Sequence, residues 1–334
     1  MKRLNSRTPI HNIDILDNQN IKKQFEISQF KGHGLQALPV AKLENNPDFL
    51  DKHYFNNLKT NWYSQSDTTL WIGSCMAEDF ALVFRDEAYN KINYSLRLGH
   101  GINSFVAQKR FLEWIFLEKD YEPCWENFDT DSLGISANTR TEIKSFISSG
   151  IDSLFCNVGS QYVMHDLLTG QDIHIPVPEK YFDPDRHIHR KISLTEMIES
   201  FRAVDAMLKE HISDNVMYAT TPFYQSHSYD NDLTPIVDGE LGKSSICSVF
   251  YECAVPNYFP AREIMSELIA FNKEYNYVHV RFKVMEMLGL ILGAHFRQED
   301  NTEELKIKVH KDLNTLRSNI LDDVKANHPA LKDK

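Results

Sequence analysis

Strand-like and helix-like segments alternate along the chain from Thr68 onward, and this alternation constrains the fold more than any other feature of the sequence. The predicted strands cover residues 68–74, 92–97, 153–159, 215–221 and about 255–259. The predicted helices cover residues 77–89, 104–117, 138–149, 194–211, 242–253 and 281–292. Because parallel strands need helical crossovers, this order predicts an α/β domain with a mainly parallel sheet.

Two segments depart from the alternation. Thr169-Gly170, flanked by alternating residues, predicts a β-hairpin inserted after the third strand. Near the C-terminus, one apolar stripe predicts an amphipathic helix, and it consists of Leu305, Val309, Leu313, Leu316, Ile320 and Val324. This stripe either docks on its own domain or binds a partner helix, which would make a homo-oligomer. We therefore expect an irregular, packed extension (1–55), an α/β domain (56–294) and a C-terminal helix (295–334).

Charge and cysteine content exclude several classes of function. The chain of 334 residues has a formal net charge of −11, which disfavours binding to nucleic acid or to an anionic membrane. No segment reaches the roughly 18 apolar residues of a membrane span, and the N-terminus lacks the apolar region of a signal peptide. The five cysteines include no CxxC pair, which indicates neither disulfides nor zinc. We expect a cytoplasmic protein that does not insert into a membrane.

The stretch "WIGSCMAEDF" predicts a strand, a tight turn and a helix that meet at two nucleophilic side chains, Ser74 and Cys75. Ligands of open α/β sheets bind at the carboxyl ends of the strands. A serine there, at a helix start, could attack an ester if a histidine took its proton. The GxSxG elbow of α/β-hydrolases is absent. The alternative is a structural corner of small residues.

Other residues at predicted strand ends complete a possible site. Gly101 and Asn103 follow the second strand, Ser160 follows the third, and His279 comes late in the chain. The backbone N–H groups of Gly101 and Ser160, and the Asn103 amide, are candidates for an oxyanion hole. Asn103 is equally well explained as a helix N-cap.

Several motifs resemble the GSCFA-domain family, which is related to the SGNH hydrolases. The family's name motif is similar to "GSCMA" at residues 73–77, and "YSLRLGHGINS" resembles its second block. "FCNVGSQYVMHDLLTGQDIHIPV", "YFDPDRHIHRKIS" and "GKSSICSVFYECAVPNYFPAREIM" resemble later blocks in the same order. The resemblance covers residues 45 to 290.

This resemblance implies a three-layer α/β/α, SGNH-like (flavodoxin-like) fold with Ser74 as nucleophile and His279 as base. The family commonly has aspartate three residues before the histidine, where this chain has Asn276. An aspartate orients the imidazole and stabilises its charged form, whereas an asparagine can only orient it.

The segment "DPDRHIHRK" predicts a polar rim in which Arg186 or Arg190 binds an anionic group of the substrate. Four histidines lie near this segment: His165, His174, His187 and His189. None of them has an acidic or cysteine partner at zinc-like spacing, so we expect no metal site. Lys243 in "ELGKSS" is not a P-loop lysine, because the upstream glycine is missing.

These expectations favour an esterase or deacetylase that acts at Ser74 on an O-acylated substrate and needs no cofactor. The resemblance implies a carbohydrate substrate, because the group is associated with bacterial surface polysaccharides. One alternative is an O-acyltransferase of polysaccharide biosynthesis with coenzyme A as acyl donor. A second is a carbohydrate- or partner-binding protein whose catalysis is weakened at Asn276.

Overall fold

A computed structural model gives the structure of the chain. It describes residues 50–51, 54–55, 61–73, 75–86, 92–95, 103–119, 141, 144–145, 150–173, 182–221, 235–265, 282–298 and 302–327. The strands are β1 (Thr68–Ile72), β2 (Ile92–Ser95), β3 (Ser153–Val158), β4 (Tyr162–Asp166), β5 (Gln171–Ile173), β6 (His187–Lys191), β7 (Val216–Thr220) and β8 (Tyr258–Phe259). The helices are α1 (Cys75–Asp86), α2 (Phe105–Phe116), α3 (Leu194–His211), α4 (Pro235–Glu252), α5 (Ala261–Ile264), α6 (Phe282–His295) and α7 (Glu303–Asn327).

The main sheet has five parallel strands in the spatial order β2-β1-β3-β7-β8. The five strands predicted for it are confirmed, as is the mixed α/β class with a parallel sheet. The chain passes from β1 to β2 on one side and then returns to place β3 on the other side of β1. In open α/β sheets such a reversal of strand order opens a crevice at the carboxyl ends, where ligands bind.

Helices cover both faces of this sheet because its strands are apolar on both faces. Trp71 and Phe155 point to one face, where they pack in a cluster with residues of α1 and α6. Leu70 and Leu154, each one residue earlier, point to the other face and pack with residues of α2, α3 and α4. The sheet therefore lies between two helical layers with two separate cores.

A second, antiparallel sheet follows β3 and has the strand order β5-β4-β6. Strands β4 and β5 form the predicted hairpin, and Gly170 in its turn has φ +67°, a backbone conformation that favours glycine. Strand β6 adds a third strand beside β4. This small sheet lies directly after the end of β3, and it therefore borders the carboxyl edge of the main sheet.

The C-terminal helix α7 docks on the chain's own core through its first half. Val309 and Leu313 are buried in the cluster that contains α6, and Leu305 packs against it. The stripe thus has an intramolecular partner at these three positions. The side chains of Leu316, Ile320 and Val324 lie outside the described residues.

Helices α1, α2 and α6 differ from their predicted bounds by one to three residues at each end, and α4 differs more. Helix α4 begins at Pro235, seven residues before the predicted start at 242, because proline fits the first turn of a helix, where its missing N–H is not needed. For the helix predicted at 138–149, residues 141, 144 and 145 are the ones described, and they are helical. Of the predicted extension 1–55, the structure describes four residues, of which Leu50 and Phe55 are buried in the core.

Among the described helices, none is long and apolar enough to cross a membrane.

Candidate active site

The turn between β1 and α1 is tight and requires glycine. Strand β1 ends at Ile72, Gly73 has φ +140°, and α1 begins at Cys75. A Cβ at Gly73 would lie 2.6 Å from the carbonyl oxygen of Asn157 and would clash with the Asn157 side chain. The predicted strand–turn–helix junction is therefore present. It lies beside the end of β3, at the reversal of strand order.

Asn157 connects three segments at this edge of the sheet. Its side chain is fully buried, and Nδ2 donates a hydrogen bond to Thr221 Oγ1 over 2.8 Å, just after β7. Its carbonyl oxygen accepts a hydrogen bond from Gln108 Nε2 over 2.8 Å, from α2. Asn157 belongs to none of the sequence motifs that predict the site. The available signal was an asparagine inside the apolar strand "SLFCNV", where this residue type is disfavoured.

Asn103 is bound to the loop that follows β3. Its carbonyl oxygen accepts hydrogen bonds from the backbone N–H groups of Gly159 (3.0 Å) and Ser160 (2.8 Å). The N-cap of α2 is Ser104, whose Oγ accepts a hydrogen bond from the N–H of Ala107. Capping therefore does not explain Asn103, and its side chain is available for another role.

The side chains of Asn103 and Thr221 both lie close to Gly159. A Cβ at Gly159 would be 2.5 Å from Asn103 Oδ1 and 2.6 Å from Thr221 Oγ1, so only glycine fits there. Asn103 Oδ1 is buried and has no hydrogen-bond partner among the described residues. A buried polar atom without a partner has an energetic cost, and a role in binding or catalysis is one explanation for it.

Ser160 uses its polar groups within its own loop. Its N–H donates to Asn103, its Oγ accepts a hydrogen bond from the N–H of Tyr162 (3.0 Å), and its Oγ lies 3.3 Å from the Tyr162 carbonyl oxygen. An oxyanion could accept a hydrogen bond from the N–H of Ser160 only by displacing the carbonyl oxygen of Asn103 from it. We therefore no longer include the N–H of Ser160 among the proposed oxyanion donors.

Two buried charged residues of α4 face the loop after β3. Lys243 is 2% exposed, and its Nζ donates a hydrogen bond to the carbonyl oxygen of Gly159. Asp238, also 2% exposed, accepts hydrogen bonds from Tyr162 OH (2.7 Å) and Gln161 Nε2 (3.0 Å). Removing a charge from water is unfavourable unless polar groups compensate for it. The sequence gives no reason to select Asp238, and it presents Lys243 only as a rejected P-loop lysine, because lysine and aspartate are usually exposed.

Four predicted site residues lie outside the described residues: Ser74, Gly101, Asn276 and His279. Cys75 is the first residue of α1, and its side chain also lies outside the described part. The nucleophile, the base and the third member therefore stay predictions. The structure describes the neighbours of Ser74 in the chain, which are Gly73 and the start of α1.

The two predicted substrate-binding arginines are engaged by carboxylates in the small sheet. Arg186 binds the fully buried Asp166 through two hydrogen bonds (2.8 and 2.5 Å), and these hold the pKa of Asp166 well below its usual value. Arg190 binds Glu196 and Asp172, and these hydrogen bonds raise the pKa of its guanidinium. Because both charges are already neutralised, we do not retain a substrate-binding role for either arginine.

The histidines of the small sheet have protein partners. His165 Nδ1 lies 2.8 Å from Asp172 Oδ1, and the ring of His187 accepts a hydrogen bond from the N–H of Asp183. In the described part of the chain, no three His, Cys, Asp or Glu side chains are grouped so that they could hold a metal ion.

No protein-family model, curated protein or solved structure matches this chain.

Proposed function

We propose that this protein is a serine-dependent acyl-ester hydrolase of the SGNH type, an esterase or deacetylase. The observation that carries the proposal is the junction of β1, Gly73 and α1 beside the polar edge formed by Asn157, Asn103 and Gly159. It is the position in the fold at which a serine nucleophile is expected, and it is surrounded by groups that do not serve the core. Catalysis by Ser74 and His279 is part of the proposal.

The strand order supports an SGNH-like, flavodoxin-like version of the α/β/α fold. Renumbered within the main sheet, the order is 2-1-3-4-5, and the candidate edge lies between the first and third strands. Helices on both faces agree with three layers. The nucleophile would then follow the first strand, as the sequence resemblance implies.

In the proposed reaction, His279 accepts the Ser74 hydroxyl proton as the oxygen attacks the ester carbonyl carbon. The carbonyl electron pair moves onto oxygen, and this oxyanion is stabilised by the N–H groups at the start of α1, the N–H of Gly101 and the Asn103 amide. The C–O bond to the alcohol then breaks, and the alcohol leaves with the proton from His279. Water repeats the sequence on the acyl-enzyme and releases the acid.

A groove of about 350 Å³ lies near the loop after β3 and is lined by polar and apolar side chains: Gln161, Lys191, Ile192, Ser193, Leu194, Met197 and Ser245. Its lining does not include the site residues Gly73, Asn103, Asn157, Gly159 and Thr221. The carbohydrate substrate is therefore proposed on the sequence resemblance alone.

Hydrolysis is favoured over transfer from coenzyme A. Acyl transfer would need cations for the phosphates of coenzyme A, and Arg186, Arg190 and Lys243 are scattered cations of the sequence that could supply them. The two arginines are paired with carboxylates, and Lys243 is buried against Gly159. We therefore propose water as the acceptor.

A binding protein with weakened catalysis is the second candidate, and Asn276 is the observation that favours it. The two functions are separated by ester turnover. We expect the purified protein to hydrolyse p-nitrophenyl acetate and to release acetate from an acetylated oligosaccharide, and Ser74→Ala to abolish both. Cys75→Ala is the matched control and should retain turnover. Binding of the oligosaccharide without any turnover would support the second candidate.

A further inference from the structure

A buried lysine reaches the candidate site from outside the set of residues proposed for the reaction. Lys243 lies on α4, is almost fully buried, and donates a hydrogen bond to the carbonyl oxygen of Gly159. Gly159 belongs to the loop whose N–H groups hold Asn103. A cation is not needed for apolar packing, because an alkyl side chain of similar length would serve that purpose.

We propose that Lys243 is a positioning residue that holds Asn103 in place through the peptide between Gly159 and Ser160. This inference rests on the proposed function, in which the Asn103 amide stabilises the oxyanion. The peptide has Lys243 on its carbonyl oxygen and Asn103 on its N–H. Because a peptide is planar, fixing its carbonyl group also fixes the direction of its N–H.

The ammonium group also strengthens the contact that it orients. A carbonyl bound to a cation is polarised, and the N–H of the same peptide becomes a better donor. That N–H binds the Asn103 carbonyl oxygen over 2.8 Å, and the N–H of Gly159 binds the same oxygen over 3.0 Å. The Asn103 backbone is thus held at two points, both in the loop that Lys243 binds.

Holding the Asn103 backbone in place also positions the Asn103 side chain. Its Oδ1 is buried against Gly159 and Thr221, with no hydrogen-bond partner among the described residues. In a carboxamide the NH₂ group points away from the oxygen, so the position of Oδ1 sets the direction in which Nδ2 donates. A shift of the Gly159 loop would move this donor.

Docking of α4 does not depend on Lys243 alone. Asp238 of the same helix accepts hydrogen bonds from Tyr162 and Gln161. Gly242 adds a close contact, because a Cβ at this position would lie 3.1 Å from Gln161 Cδ. A Lys243→Met variant therefore keeps these anchors and the apolar stem, and it loses the charge and the donor.

The direct test is a double-mutant cycle on ester turnover. We expect Lys243→Met to lower kcat at least tenfold with little change in KM, and Lys209→Met, on the exposed side of α3, to change neither. In the Asn103→Ala background, Lys243→Met should cause almost no further loss, because both act on one donor. The proposal would be overturned if the losses in kcat of the two single variants multiplied in the double variant, or if Lys243→Met left kcat unchanged.

A second measurement does not depend on catalysis. Amide hydrogen exchange should be at least tenfold faster at Gly159 and Ser160 in Lys243→Met than in the wild type, and Lys243→Arg, which keeps the charge, should restore part of the protection. If Lys243→Met does not fold, Lys243→Gln replaces it, since it is uncharged and shorter than lysine, and exchange at Gly159 and Ser160 should then be faster than in the wild type and in Lys243→Arg. Equal exchange rates would overturn the positioning role, whereas a wild type without turnover would overturn the proposed function alone.

Discussion

The carbonyl oxygen of Asn157 occupies the space that any side chain on Gly73 would need, since a Cβ there would lie 2.6 Å from it. This contact brings the end of β3 against the residue that precedes Ser74. The turn of the proposed nucleophile therefore lies against Asn157, which binds Thr221. Thr221 and Asn103 both lie close to Gly159 at the same edge of the sheet.

Gly73→Ala is expected to lower the free energy of unfolding by about 2 kcal/mol or more, because the positive φ and the contact with Asn157 both penalise a side chain. Chemical denaturation measures the change. Gly170→Ala is the matched control, since it has φ +67° with no atom within 4 Å of a Cβ, and it should lose about 1 kcal/mol. Equal losses in the two variants would show that the Asn157 contact contributes nothing.

Adjacent residues at the start of α2 should separate catalysis from stability. Asn103→Ala is expected to lower kcat for ester hydrolysis by about 10²–10³-fold, as the loss of one oxyanion donor does. Ser104→Ala removes the N-cap of α2, and it should lower the free energy of unfolding by about 1 kcal/mol while kcat is retained. Steady-state kinetics and denaturation on both variants check this. A reversal of the two effects would contradict the assignment of the cap and the donor.

Arg186→Met should destabilise the protein without impairing turnover of a neutral ester. The substitution leaves the buried Asp166 carboxylate without its guanidinium partner, and it should lower the free energy of unfolding by about 3 kcal/mol. This value is at the low end for a broken buried ion pair, because Arg186 is partly exposed. The double variant with Asp166→Asn should recover part of this loss. A large rise in KM at unchanged stability would restore Arg186 as a substrate-binding residue.

Asp51 should contribute stability that acid removes. Burial alone would raise its pKa, but hydrogen bonds and charges from His295 and Lys306 outweigh burial and lower the pKa to about 2. A carboxyl group with a depressed pKa stabilises the fold above its unfolded pKa, and this contribution disappears as the pH falls through about 2. Denaturation at pH 5 should therefore show the wild type more stable than Asp51→Asn, by about 1 kcal/mol after solvent screening. That difference should shrink steadily between pH 4 and pH 2, and a constant difference would contradict the account.

Local patterns explain which parts of the fold could be predicted. Helix α3 has the predicted bounds, 194–211, because Ser193 caps it and its apolar residues recur at helical spacing. The junction of β1 and α1 was predicted because a buried β-branched run gives way to helical periodicity within two residues. Both signals depend on neighbours in the chain.

The missed features depend on contacts between distant residues. Lys243 and Gly159 are 84 positions apart, and nothing near Lys243 in the sequence indicates that it is buried. Arg186 seemed available for a substrate because its partner, Asp166, lies 20 positions earlier and meets it only when β6 pairs with β4. Asn103 was ambiguous between cap and donor until the structure showed that Ser104 is the cap.

The central claim is that Ser74 is an activated nucleophile, and covalent labelling tests it most directly. The folded protein is incubated with a fluorophosphonate probe, and the modified peptide is identified by mass spectrometry. We expect one label on Ser74, no label in Ser74→Ala, slower labelling in His279→Ala and an unchanged rate in Cys75→Ala. A folded wild type that stays unlabelled, or a label on another residue that persists in Ser74→Ala, would contradict the claim.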